Sequence, residues 1–98
     1  MIEIELSGTT FPVRGDLRAI KNAQEEHNVR LEDMEANGSL VDIGTLLFHF
    51  ARRGCELRKV GFTLDHDEFL GLIELSQLKE LGKLVESMMG GGDSGKKK

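Results

Sequence analysis

The most apolar stretch of the sequence, residues 40–51 (LVDIGTLLFHFA), is the feature that most constrains the fold. At helical spacing its apolar side chains fall on two faces rather than one. The first face holds Leu40, Ile43, Leu47 and Phe50, and the second holds Val41, Phe48 and Ala51. A helix that is apolar over much of its circumference is normally buried between neighbours. The sequence therefore predicts a buried central helix that ends at residues 52–54 (RRG), where two cations and a glycine suit a helix C-terminus.

This run is a poor candidate for a membrane segment. It has 12 residues, whereas a helix needs about 20 to cross a bilayer, and Asp42 and His49 interrupt it. There is also no charged leader followed by an apolar core, so no signal peptide is expected. Cys55 is the only cysteine, which excludes an intramolecular disulfide and fits a reducing cytosol.

The charge balance disfavours nucleic-acid binding. The chain of 98 residues has 13 Lys+Arg and 17 Asp+Glu, a net charge of −4. Its last nine residues hold three lysines and one aspartate, so the rest has 10 basic and 16 acidic residues, or −6. An acidic domain is poorly suited to gripping phosphates.

The N-terminal half predicts a β-hairpin and a helix. Residues 2–6 alternate apolar and acidic, Ser7-Gly8 marks a turn, and residues 9–13 resume with β-branched and aromatic residues. Asp16 caps a first helix that runs to about His27, with Leu17, Ile20 and Ala23 or Gln24 facing inward. Residues 29–35 are interpreted as a loop and one short helical turn.

The C-terminal half predicts two more helices. Residues 55–62 (CELRKVGF) either extend the central helix or form a loop. Thr63 then caps a third helix with an acidic first turn, and Ser76 opens the last one. We expect one domain over residues 1–89 and a flexible Gly/Lys tail over 90–98. The fold class predicted is mainly α with a short N-terminal β-hairpin (α+β), a compact bundle of about four helices around a buried central helix.

The sequence shows no catalytic or metal-binding constellation. His27, His49 and His66 lie in three segments without a shared pattern. His49 is interpreted as a buried or half-buried imidazole and His66 as a surface residue. The carboxylates of residues 65, 67 and 68 crowd one turn, unlike the spaced ligands of a calcium loop. We therefore expect no enzyme activity, no cofactor and no metal.

Two kinds of binding residue stand out. The basic cluster of Arg52, Arg53, Arg58 and Lys59 either compensates charge at a helix end or forms a docking patch for an acidic partner. The last helix carries an apolar stripe, and Met88 and Met89 suit either a core or an adaptable binding surface. The candidate partner-binding residues are Phe48, Leu78, Leu81, Leu84, Val85, Met88 and Met89.

The order of elements resembles the small tail assembly chaperones of long-tailed bacteriophages and prophages. The match covers residues 2 to about 89, and it is carried by the segments IEIEL, FPVRG, DLRAIKNAQEEHN, VRLEDM, SLVDIGTLLFHFARRG and TLDHDEFLGLIEL. The resemblance implies a non-enzymatic protein of the bacterial cytoplasm, absent from the mature virion. Such chaperones bind the tape measure protein, keep it soluble and help tail tube subunits assemble around it.

The resemblance also implies partners for the chain, and two other functional classes remain open. The ending GKKK is compatible with a ribosomal frameshift, through which an extended form would engage the major tail protein. We expect the last-helix stripe and Phe48 to contact the tape measure protein or a second copy of the chain. The alternatives are a small helix-turn-helix DNA-binding regulator and a structural tail or head-completion protein, which would be found in virions.

Overall fold

The computed structural model describes residues 2–29 and 40–88 and confirms the predicted α+β class. Its elements are β1 (Ile2–Leu6), β2 (Thr9–Val13), α1 (Leu17–His27), α2 (Leu40–Leu57), α3 (His66–Leu72), a 3₁₀ turn (Leu75–Gln77) and α4 (Leu78–Met88). No helix in this part of the chain is long and apolar enough to cross a membrane. The predicted short turn after α1, Met89 and the Gly/Lys tail lie outside the described residues.

The hairpin forms as its alternation predicted. Strands β1 and β2 pair antiparallel, with Ile4 opposite Phe11 and Leu6 opposite Thr9. Ser7 and Gly8 both have positive φ, as a tight two-residue hairpin turn requires. The buried face of the hairpin consists of Ile4, Leu6, Phe11 and Val13. A lone hairpin is marginal in water, so this face is stabilised by packing on the helices.

Helix α2 is the buried centre of the fold, as predicted, but its first turn is exposed, and residues 55–57 follow the predicted alternative in which the helix extends past Gly54. Leu40 and Val41 are 55% and 60% exposed, so its first turn is not buried. At the other end the helix continues past Gly54 to Leu57. Gly54 faces the hairpin, where a Cβ atom would overlap the carbonyl group of Pro12. This glycine therefore permits close packing of helix against strand and does not end the helix.

The remaining helix boundaries follow from capping. Asp16 caps α1 as predicted, since its Oδ1 accepts from the Ala19 amide at 3.0 Å. Helix α3 is capped by Asp65 rather than Thr63, because Asp65 and Glu68 form a reciprocal capping box. Ser76 lies in the 3₁₀ turn, so α4 begins two residues later than predicted. Leu17 was predicted to face inward and is instead 83% exposed.

Candidate functional site

The three histidines of the chain converge at one point, which sequence spacing did not reveal. His27 ends α1, His49 lies on α2, and His66 begins α3. The Nδ1 atom of His27 lies 2.8 Å from Nε2 of His49, and the His27 and His66 rings stack with centroids 4.0 Å apart. The prediction that His49 is buried is confirmed, and His66, predicted to lie at the surface, is half-buried and contacts Thr45 and His27.

Local structure brings these side chains together. Asn28 adopts the left-handed conformation that ends α1 just after His27. The Asp65 cap fixes the start of α3 at His66. On α2, Thr45 and His49 are four residues apart and share a face, so Thr45 contacts His66 while His49 contacts His27. A composition or spacing rule within one segment could not find a cluster assembled from three helices.

The hydrogen-bond partners fix the imidazole tautomers. The Thr45 hydroxyl donates to the Val41 carbonyl at 2.9 Å, so it accepts from Nε2 of His66 at 2.9 Å. Arg52 can only donate, and its Nη2 lies 3.4 Å from Nδ1 of His49. The His49 proton is therefore on Nε2, which donates to Nδ1 of His27.

Burial keeps the two facing imidazoles uncharged. It lowers the pKa of His49 to about 4, and the positive charge of Arg52 acts in the same direction. Burial also lowers the pKa of His27, with a smaller contribution from His66. The hydrogen bond from Arg52 lowers the pKa of Glu26. At neutral pH the imidazoles of His27 and His49 are thus uncharged and lie beside the Glu26 carboxylate.

A polar cleft of about 450 Å³ lies beside the cluster, and His49 is the histidine that lines it. The cleft is lined by Arg18, Lys21, Asn22, Glu26, His49, Arg52, Arg53 and Glu56. One ligand atom each from Glu26, His27 and His49 lies within 4.8 Å of the others. Two imidazole nitrogens and a carboxylate oxygen form a donor set that suits zinc and related ions. The sequence-based expectation of no metal site considered only ligand spacing within one segment. It did not consider ligands that two helices bring together.

The same cluster is poorly arranged for nucleophilic catalysis. The nearest hydroxyl, Thr45, is buried and its proton is committed to the Val41 carbonyl. Cys55 is also buried, and burial raises the pKa of its thiol, which makes the thiolate less available.

The predicted basic patch is mostly neutralised within the chain. Arg52 pairs with Glu26 at 2.9 Å, and Arg53 pairs with Asp16 at 2.8 Å and with Glu56 at 2.6 Å, while Arg58 pairs with Glu3 at 2.7 Å. The Arg52 and Arg53 pairs connect α2 to α1 and to its cap, and the Arg58 pair connects the residue just after α2 to β1. Lys59 is exposed just after α2. The three arginines thus form ion pairs within the chain, and their role as a docking patch stays a prediction.

The structure places most of the predicted apolar partner-binding residues in the core of the single chain. The buried members are Phe48, Leu78, Leu81 and Val85, while Leu84 and Met88 are partly buried against the core. Met89 lies outside the described residues. The stripe of α4 faces α2 of the same chain, because a domain of this size needs those side chains to complete its core.

A different surface carries exposed aliphatic side chains. Leu40, Val41 and Leu75, the last 79% exposed, border a cavity of about 150 Å³. Its other lining residues are Gly44, Leu70, Ile73 and Leu78. We call these seven residues the apolar groove. Gly44 has no side chain, which lets Leu70 lie against α2; a Cβ atom there would be 2.6 Å from Leu70 Cδ2.

The described residues thus carry two candidate sites, the histidine cluster and the apolar groove. Comparison with known protein families, with curated proteins and with solved structures finds no match for this chain.

Proposed function

We propose that this protein is a tail assembly chaperone of a long-tailed phage or prophage, and that its apolar groove binds an amphipathic helix of the tape measure protein. The observation that carries the proposal is the exposure of Leu40, Val41 and Leu75 around one concavity. Single exposed leucines are ordinary on protein surfaces. A contiguous group around an apolar depression is typical of a binding site.

The groove has dimensions that suit helix-in-groove recognition. Its volume of about 150 Å³ accommodates one bulky apolar side chain. The first turn of α2 and the 3₁₀ turn both contribute to its rim. A partner helix would place one anchor in the depression and lay neighbouring residues, three or four positions away, on the exposed rim. Long helical proteins such as tape measure proteins supply many segments of this kind.

The charge distribution favours a chaperone over a DNA-binding regulator. The chain carries a net charge of −4, and Arg52, Arg53 and Arg58 are paired with its own carboxylates. Charges already engaged in ion pairs contribute little to phosphate binding. A net negative exterior instead keeps the protein soluble while its groove holds an apolar partner.

The cellular setting belongs to the same proposal. The chaperone would act in the bacterial cytoplasm and be absent from the finished virion. A frameshift-extended form would engage the major tail protein. The gene should therefore lie between a major tail protein gene and a very long, largely helical open reading frame, and a genomic neighbourhood without such a frame would overturn the proposal.

A matched pair of substitutions tests the groove. Leu75→Glu places a charge on the groove rim, and we expect it to weaken binding to the tape measure protein by roughly 10- to 100-fold, the equivalent of losing one buried leucine. Leu17→Glu makes the same change at an equally exposed leucine outside the groove and should leave binding unchanged. The affinities are measured by isothermal titration calorimetry after co-expression identifies the tape measure segment that the wild-type chain keeps soluble.

Stability measurements separate a binding effect from misfolding. Both leucines are exposed, so both variants should unfold within about 0.5 kcal/mol of the wild type. Equal loss of binding in the two variants, or no loss in Leu75→Glu, would show that the groove is not the binding surface.

A further inference from the structure

We infer that Glu26, His27 and His49 form a binding site for a divalent transition-metal ion of the zinc type, where the C-terminal end of α1 meets α2. This inference does not depend on the proposed chaperone function. It rests on the positions of three donor groups and on the open cleft beside them.

The facing imidazoles need only a small movement to hold an ion. Nδ1 of His27 and Nε2 of His49 are 2.8 Å apart and face each other. In a tetrahedral zinc site with Zn–N bonds of about 2.0–2.1 Å, two ligand nitrogens lie roughly 3.3–3.4 Å apart. The two nitrogens would therefore move apart by about half an ångström, and the rings would tilt so that both lone pairs point at the ion. His27 is the last residue of α1, so its ring can move without breaking the helix, although the movement must keep or shift its stacking on His66.

Glu26 supplies the third ligand from the adjacent position. Its Oε2 accepts a hydrogen bond from Arg52 at 2.9 Å, which leaves Oε1 for an ion. Two imidazoles and one carboxylate complete three positions of a zinc coordination sphere. The polar cleft admits the ion and supplies water for the remaining position.

His66 is a positioning residue rather than a ligand. Its Nε2 donates to Thr45, and its ring stacks on His27 with the ring planes tilted by 33°. Stacking restricts the orientation of the His27 ring, and supporting contacts of this kind commonly orient metal-binding histidines. His27 and His66 are thus adjacent histidines with different expected roles.

Arg52 is expected to oppose the ion. It neutralises Glu26 and donates toward Nδ1 of His49. When Nε2 of His49 binds the ion, the ring proton moves to Nδ1, where it meets the Arg52 donor. Arg52 must then turn away, and its positive charge also repels the ion. Removing this side chain should therefore increase the affinity for the metal.

The test is a zinc titration of the full chain in competition with a chromophoric zinc indicator. The wild type should bind one ion tighter than about 0.1 mM. Removing a residue that orients a metal ligand lowers metal affinity by roughly 10- to 100-fold, so loss of a ligand in His27→Gln should lower it by at least about 100-fold. The same change in the stacked neighbour, His66→Gln, removes only a supporting contact and should lower it less, by about tenfold. Arg52→Gln should raise it by about tenfold.

NMR spectroscopy identifies the side chains that bind the ion. Zinc should shift the imidazole NMR resonances of His27 and His49, whereas the same concentration of Mg²⁺ should not, because magnesium prefers oxygen ligands. If His49→Gln does not fold, the partly exposed His27 still provides the test. Wild-type affinity weaker than about 0.1 mM, or equal affinity loss in His27→Gln and His66→Gln, overturns the inference.

Discussion

Replacing Gly54 by alanine is expected to lower the free energy of unfolding by about 3 kcal/mol or more. An alanine Cβ atom would lie 2.9 Å from the Val13 amide nitrogen and would overlap the Pro12 carbonyl group. These are backbone atoms of β2, so they cannot be relieved by rotating a side chain. The hairpin is also held to α2 by a hydrogen bond of 3.0 Å from the Arg14 amide to the Phe50 carbonyl. Added bulk at Gly54 forces the strand away from the helix.

Gly71→Ala provides the matched control. Gly71 also lies in a helix, α3, but its added Cβ atom would meet nothing within 4 Å. Alanine is the better helix former, so this variant should be unchanged or more stable by up to about 1 kcal/mol. Urea unfolding followed by circular dichroism measures both variants. A Gly54→Ala variant as stable as Gly71→Ala would show that the helix and the hairpin are not packed as described.

Gly54 also shows where sequence reasoning succeeds and where it stops. The alternation in β1, the Asp16 cap and the apolar run of α2 are local patterns, and each predicted its element correctly. A glycine after two arginines is an ordinary sign of a helix end. The alternative role, close approach to a strand, depends on which segment packs there, and no local pattern contains that information.

The exposed and buried leucines illustrate the same limit. The stripe of α4 was identified from its period, but its partner was not, and the structure shows that α2 covers it. Leu75 lies in a 3₁₀ turn without a helical period, so nothing in the sequence marked it as exposed groove rim. Periodicity predicts which residues share a face, whereas tertiary packing decides which faces remain open.

The histidine cluster was missed for a further physical reason. Its members come from the end of α1, the middle of α2 and the start of α3, so their proximity depends on where two helices end and begin. The sequence predicts the Asp16 cap correctly but places the cap of α3 at Thr63 instead of Asp65. Moving that cap by two residues places His66 at the start of the helix, against His27.

The metal-free protein is expected to lose stability as the pH falls from about 6.5 to 4. The pKa of His49 is about 4 in the folded protein and near 6.5 when the chain is unfolded. Between these values the unfolded state binds more protons, so acidification favours unfolding. The expected loss is about 2 kcal/mol at pH 5 and about 3 kcal/mol at pH 4, with His27 acting in the same direction.

Most of the charged groups around His49 lower its pKa, which supports the expected loss of stability on acidification. Arg52, His27 and His66 all disfavour its protonation, and Glu26, which favours it, is already paired with Arg52. The pKa values of the Glu26 and Asp16 carboxyls are lowered, so their contribution is lost only at pH values below about 4.5, near the end of the His49 window.

Urea unfolding at pH 7, 6, 5 and 4.5 in the presence of a chelator measures the loss, and NMR titration of the His49 ring reports its pKa directly. His49→Gln should flatten the dependence between pH 6.5 and 5, because glutamine does not titrate. A His49 pKa near 6.5, or an unchanged pH dependence in His49→Gln, would mean that the buried cluster does not form. Protonation of His49 is coupled to unfolding only if its pKa differs between the folded and unfolded states. Burial of the ring is what produces that difference here.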